Sequence, residues 1–186
     1  MNLKSKSILK SDILILQELG PSDISQTYID WLNDVEVNKY LESRYITHNE
    51  NTVRDFVIAC RDSETEFLFG IFVKENMKHI GNIKLGPINN YHKRADIGLI
   101  IGDKSYWGQG FAKEAILLIS QFAFNTLKLH KLTAGCYESN IGSKKAFENS
   151  GYKIEGFFEQ HVMLSGSREG IWKLGFVASD FESLSR

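Results

Sequence analysis

Apolar and polar positions along the chain follow two periods. Ile13-Leu14-Ile15-Leu16 is an apolar run too brief for a helix by itself, and it predicts an opening strand over about 13–19 that Gly20-Pro21-Ser22 stops. Ser22 can cap a helix through Leu32, in which Ile24, Tyr28 and Trp31 stack along one side at helical spacing, so Trp31 reads there as a core residue. Val35 to Leu41 predicts a further short helix. Thr47-His48-Asn49-Glu50 has the capping-box pattern of a hydroxyl and a later Glu, and Val53, Phe56, Val57 and Cys60 follow with helical period.

Three β-rich stretches come next, Glu66 to Lys74, His79 to Ile88 and Arg94 to Ile101, with turn-like segments between them short enough to imply an antiparallel meander. Ala112 to Leu127 predicts an amphipathic helix with Ala115, Ile116, Ile119, Phe122 and Ala123 on its apolar stripe and Gly110 just ahead of it. Lys131 to Tyr137 reads as a strand and Gly142 to Asn149 as a short helix closed by Gly151. Tyr152 to Met163 and Ile171 to Val177 read as a final hairpin around Ser165-Gly166-Ser167. The order predicts an α/β fold in which helices flank one mixed, mostly antiparallel central sheet of about seven strands. No linker, repeat or low-complexity tract divides it, so residues 1–186 are expected to form a single domain, with 1–11 a polar N-terminal segment and 179–186 a polar C-terminal tail.

Composition narrows the class. At 186 residues, 42% of them hydrophobic, a single core can bury roughly 70% of the unfolded chain's surface without help from disulfides or metal. The 22 Lys and Arg against 23 Asp and Glu leave no basic excess to attract nucleic acid or anionic lipid, and no apolar run is long enough to span a membrane. Cys60 and Cys136 are far apart and unpaired in pattern, which fits a reducing cytoplasm. His48, His79, His92 and His130 show no metal-ligand spacing, so no metal is expected.

The strongest chemical signal is the strand Ile97-Gly98-Leu99-Ile100-Ile101-Gly102 followed by Trp107-Gly108-Gln109-Gly110-Phe111-Ala112 at a helix start. The first N–H groups of a helix lack acceptors within it and sit at the positive end of its dipole, so small residues there let a pyrophosphate approach several backbone donors. Glycines of this kind can also do no more than shape a tight turn. A dinucleotide-binding fingerprint would need parallel βαβ order, and a phosphate-binding P-loop would need a Gly-Lys-Ser/Thr ending that Gly110-Phe111 lacks.

The strand, this turn and Glu114-Ala115 resemble the acetyl-CoA pyrophosphate loop of the GCN5-related N-acetyltransferases (GNAT). Asn140-x-x-Ser143, Ser150-Gly151-Tyr152 and Glu155-Gly156 extend the likeness, and Trp31-Leu32-Asn33-Asp34 resembles the branch that includes the ribosomal-protein alanine N-acetyltransferases; the resemblance covers about residues 13–178. It implies acetyl-CoA as co-substrate. Backbone groups around Leu99, Ile100 and Ile101 would face the thioester carbonyl, Trp107 to Ala112 (Gly108, Gln109, Gly110 and Phe111 between them) would hold the pyrophosphate, and Asn140 would hold the pantetheine arm or order a nearby water, unless it is a plain helix cap. Phe147 stands where many relatives carry Tyr as the acid for the departing thiolate; in the branch resembled, a Ser three residues after the Asn is the implied acid instead, and Ser143 occupies that place, unless it is a first-turn helix residue with no catalytic role. Trp107 likewise replaces the Gln or Arg that usually opens the loop pattern. A homodimer is the family-level expectation.

For the general base, Asp96 lies two positions before Gly98, and strand alternation places it on the same face as Gly98 and Ile100; a surface ion pair with Lys93 or Arg94 is the competing account. His161 is the second candidate, and Val162 occupies the position where the branch carries a Glu. Trp31, Arg44, Tyr45 and Asn82 are the candidates for recognising the acceptor, with packing or solvation as the alternative for each. The expected activity is acetylation of a primary amine of a small molecule, such as an amino sugar or a nucleotide-linked one. The alternatives are a protein N-terminal α-amine acetyltransferase and a non-catalytic acyl-CoA-binding sensor.

Overall fold

The computed structural model describes residues 7–184. Eight strands form one sheet in the order β1-β2-β3-β4-β5-β6-β8-β7. They span Ile8–Lys10 (β1), Leu14–Glu18 (β2), Phe67–Val73 (β3), Lys78–Leu85 (β4), Arg94–Ile101 (β5), Lys131–Tyr137 (β6), Lys153–Leu164 (β7) and Ser167–Val177 (β8). The predicted meander is present as β3-β4-β5, and every strand pair is antiparallel except β5 with β6. The eighth strand is β1, which lies in the segment expected to be only polar. It pairs Ile8, Leu9 and Lys10 with β2, a ladder that backbone groups can form whatever the side chains. At the other end, Ala178–Leu184 is a helix (α5) where a tail was expected.

Four further helices cover the sheet: Gln26–Asn33 (α1), Glu50–Asp62 (α2), Phe111–Gln121 (α3) and Ile141–Glu148 (α4). Three details differ from the sequence reading. Helix α1 is capped by Ser25, whose side chain accepts from the Tyr28 N–H, while Pro21–Asp23 makes a separate 3-10 turn ahead of it. The stretch 35–41 is not helical, because the Asp34 carboxylate accepts from the N–H groups of Glu36 and Val37 and closes a turn that competes with helix continuation. The capping box of α2 is formed by Asn49 and Thr52 in place of Thr47 and Glu50, each side chain bonding the other's backbone N–H. Beyond Gln121, Phe122–Thr126 continues as a π-helical turn.

Two apolar clusters lie on opposite faces of the sheet. One joins Ile83, Leu85 and Ile97 to Ile116, Ile119 and Ala123 of α3 and its extension. The other joins Leu68 to Tyr28, Trp31 and Leu32 of α1 and to Val53 and Val57 of α2, with Ile100 packed against it. At roughly 25 cal/mol per Å² of apolar surface buried, these clusters are the main force fixing the helices to the sheet. Trp31 belongs to the second. It packs against Gly102, where a Cβ would come within 2.0 Å of the indole, so only glycine lets α1 sit this close to the end of β5.

Candidate active site

Pairing of β5 with β6 stops at Asp96↔Thr133, whereas pairing of β5 with β4 continues to Ile101. From Ile97 onward the β5 edge facing β6 has no strand beside it. The Asp96 carbonyl bonds Gly86 on the β4 side, so alternation turns the backbone groups of Ile97, Leu99 and Ile101 the other way, into the gap. A cleft of about 590 Å³ opens here, floored by Ile97 to Ile100 and lined also by Tyr28, Glu42, Asn82, Tyr137, Asn140 and Ser143. Gly98 adds no bulk; nothing lies within 4 Å of where its Cβ would be.

Beyond β5, the expected glycine turn is formed and open. Gly108 and Gly110 have φ of +73° and +87°, a left-handed conformation that glycine adopts without strain, and no atom lies within 4 Å of a built Cβ at either. Gly110 is the N-cap of α3 and has no side chain to satisfy the first helical N–H groups. Those of Phe111 and Ala112 are therefore left as donors for an anion, at the positive end of an eleven-residue helix. Trp107 and Gln109 shape the turn more than they line the cleft: Trp107 Nε1 donates to the Ile101 carbonyl at 2.7 Å, and the Gln109 amide donates to the Ser105 carbonyl. These donors could hold a diphosphate, and the unpaired β5 edge offers backbone N–H groups that a thioester carbonyl could meet.

Asn140 caps α4, its Oδ1 accepting from the Ser143 N–H at 3.2 Å. The helix-cap role and a ligand role are compatible, because the cap consumes the oxygen and leaves Nδ2 at the cleft wall. Ser143 lines the cleft in the first turn of α4, and Phe147 is buried behind it.

Asp96 lies in the cleft at the point where the strands part, its carboxylate accepting from the Thr133 hydroxyl, not pairing with Lys93 or Arg94. The pairs Asn82↔Ile100 and Lys84↔Gly98 put Asn82, Lys84, Asp96, Gly98 and Ile100 on one face of the sheet, the face covered by α1 and α2. His161 is not brought to them. It sits exposed in the irregular middle of β7, with its ring against Phe158, and is not part of the cleft lining.

Of the acceptor-side candidates, only Asn82 lines the cleft. Trp31 is core. Arg44 is a tie: its guanidinium donates to the carbonyls of Leu41 (2.7 Å) and Met163 (2.8 Å) and to the Tyr137 hydroxyl (2.9 Å), and the Tyr45 hydroxyl also donates to Met163. Tyr137 in turn donates to Glu42 Oε1 at 2.6 Å, and burial followed by that carboxylate pushes its phenol above the usual range. Tyr28, Tyr40, Glu42, Lys84 and Tyr137 are cleft residues that sequence reasoning missed. Only Tyr137 carried a usable signal, as the end of the strand that leads to Asn140. Cys136 also lines the cleft, but burial raises its thiol to about 11, so it is protonated at neutral pH and unsuited to act as a nucleophile. Among the described residues no group of three or more His, Cys, Asp or Glu side chains could hold a metal, and no helix is long and apolar enough to cross a membrane.

Comparison with known proteins agrees with this geometry. The chain is 33% identical over 122 residues to the "Probable N-acetyltransferase YjcK" of Bacillus subtilis, 65% of this chain and 67% of that one. It is 23% identical over 181 residues to a spermidine N(1)-acetyltransferase of Vibrio cholerae, covering 96% and 95% of the two chains. In fold it is similar to the Vibrio cholerae spermidine N-acetyltransferase solved with CoA and spermine (TM-score 0.82, 21% identity, 91% and 98% covered). It is also similar to a GNAT-family acetyltransferase from Bacillus anthracis (TM-score 0.80, 20% identity, 93% and 99% covered). The model of the acetyltransferase (GNAT) domain matches residues 14–153, so the chain belongs to the GNAT family and is an N-acetyltransferase.

Proposed function

We propose that this chain transfers the acetyl group of acetyl-CoA to the primary amine of a small molecule, in the cytoplasm. The observation that carries the reading is the parting of β5 from β6 beside the uncapped start of α3, which sets unpaired strand amides and free helix donors on the same flank of the sheet. The N–H groups of Phe111 and Ala112 hold the diphosphate. The Leu99 N–H polarises the thioester carbonyl, where negative charge develops. Asp96, beside the gap, takes a proton from the acceptor ammonium and passes it to solvent; the freed nitrogen attacks the carbonyl carbon, the C–S bond breaks, the Ser143 hydroxyl delivers a proton to the sulfur, and the second proton lost by the nitrogen replaces it through solvent.

Relatives named for spermidine raise a polyamine as the rival acceptor. The charged side chains that line the cleft are two carboxylates, Glu42 and Asp96, and two ammoniums, Lys84 and Lys173. Lys84 is further held by Glu66 at 2.7 Å. A balanced set suits an acceptor with one amine better than an extended polycation.

Thiol release from acetyl-CoA with a panel of small amines tests the reading, with mass spectrometry of proteins incubated beside them. Release with a small amine is expected. An acetyl mass at a protein amino terminus without turnover of any small amine would replace the small molecule by a protein α-amine. CoA binding without any transfer would leave a sensor.

A further inference from the structure

Asn82 Nδ2 is buried and has no hydrogen-bond partner, the sole such side-chain atom among the described residues. The other end of the amide is fixed. His79 Nε2 lies 2.9 Å from the Gly81 carbonyl oxygen and 2.9 Å from Asn82 Oδ1. A carbonyl can only accept, so Nε2 carries the hydrogen, and the Asn82 atom facing it must be the oxygen; the flipped amide would set two donors against each other. The imidazole cannot swing away, because it is stacked on Phe72 with centroids 4.7 Å apart and edged by Trp31 and Tyr28. Burial also favours its neutral form. The amide NH₂ of Asn82, a residue only 4% exposed that lines the cleft, is thus held as a fixed donor.

A buried donor without a partner is costly, and the cost is recovered only when an acceptor atom arrives. An ammonium and a methylene chain supply none. We infer that Asn82 donates to an oxygen of the acceptor, so that the substrate is a primary amine bearing a hydroxyl or carbonyl oxygen, an amino sugar in kind, and not a polyamine. This rests on the acetyl-transfer reading above and makes Asn82 a residue that determines specificity.

The test compares the parent protein with Asn82→Leu, using glucosamine, cyclohexylamine (a ring amine without oxygen) and spermidine. Asn82→Ala replaces it should the larger side chain fail to fold, and calorimetry with CoA reports whether each variant is intact. Because both proteins meet the same amines, differences in amine basicity cancel. The ratio of kcat/KM for glucosamine over cyclohexylamine is expected to fall about tenfold or more in the variant, the scale of one lost hydrogen bond to a substrate hydroxyl. A fall of less than about threefold, or spermidine as the parent's best acceptor, overturns the inference. If CoA binds but no amine is acetylated, the proposed activity fails separately. Titration of glucosamine into the CoA-loaded proteins then decides: tighter binding to the parent supports the Asn82 contact, and equal or no binding overturns it.

Discussion

The two flanks of the cleft are built from different materials. The flank proposed for the coenzyme is backbone: unpaired amides of β5 and uncapped N–H groups of α3, exposed by glycines. The acceptor flank is side chains from five separate segments, Tyr28, Glu42, Asn82, Asp96 and Tyr137, fixed by long-range contacts such as Arg44 to Tyr137 and Met163. Backbone donors are the same in every chain that folds this way, so the first flank is suited to a constant ligand. The second can be re-equipped one side chain at a time, as a variable substrate requires.

If that division holds, damage should stay on its own side. The largest effect is expected from Gly110→Val, which puts a β-branched side chain at φ +87° in front of the helix donors. CoA affinity measured by calorimetry should drop about 100-fold, from strain and lost anion contacts together. A binding constant within a few-fold of the parent's would mean that the turn is not the anchor. Asp96→Asn should follow, lowering kcat by about 100-fold with CoA affinity kept, as expected for loss of a general base. A kcat within a few-fold of the parent's would shift the base role to another group. Ser143→Ala is expected to cost about tenfold in kcat, because water can deliver the proton in its place. An unchanged rate would reduce Ser143 to a helix residue.

The smallest expected effect concerns stability. Burial holds the His79 imidazole below its ordinary 6.5, so at acid pH the unfolded chain binds a proton that the folded chain resists. Thermal stability should therefore decline as pH falls through 6.5, and His79→Phe should flatten that part of the curve. Parallel curves for the two proteins would show that other groups set the slope.

The same division explains what could be read in advance. The proposed coenzyme flank is encoded locally: a strand and two glycines at a helix start are close neighbours in the chain, and their periodicity and spacing survive in the linear text. The strands 67–73, 78–85 and 94–101 were legible for the same reason. Caps were not. Asn49 and Thr47, or Ser22 and Ser25, offer the same chemistry within a few residues, and the choice depends on where the helix packs. The acceptor flank was legible only at Asp96, where strand alternation gave the direction, and at Asn82, which was named as a candidate without a face. Arg44 was misleading because a guanidinium serves equally as substrate clamp and as structural tie. Glu42 carries no local signal at all, since its place in the cleft comes from the fold of the 35–45 segment over β6.

The indole of Trp107 occupies the last carbonyl of the open strand edge, Ile101. In the proposed site that single bond sets a ruler: it takes the carbonyl at the Ile101 end of the gap and leaves the stretch from Ile97 to Leu99 for the thioester, at a fixed span from the N–H groups of α3. A coenzyme whose arm is shorter or longer than that span would bind by its diphosphate and yet hold its acyl carbon out of register with the amine.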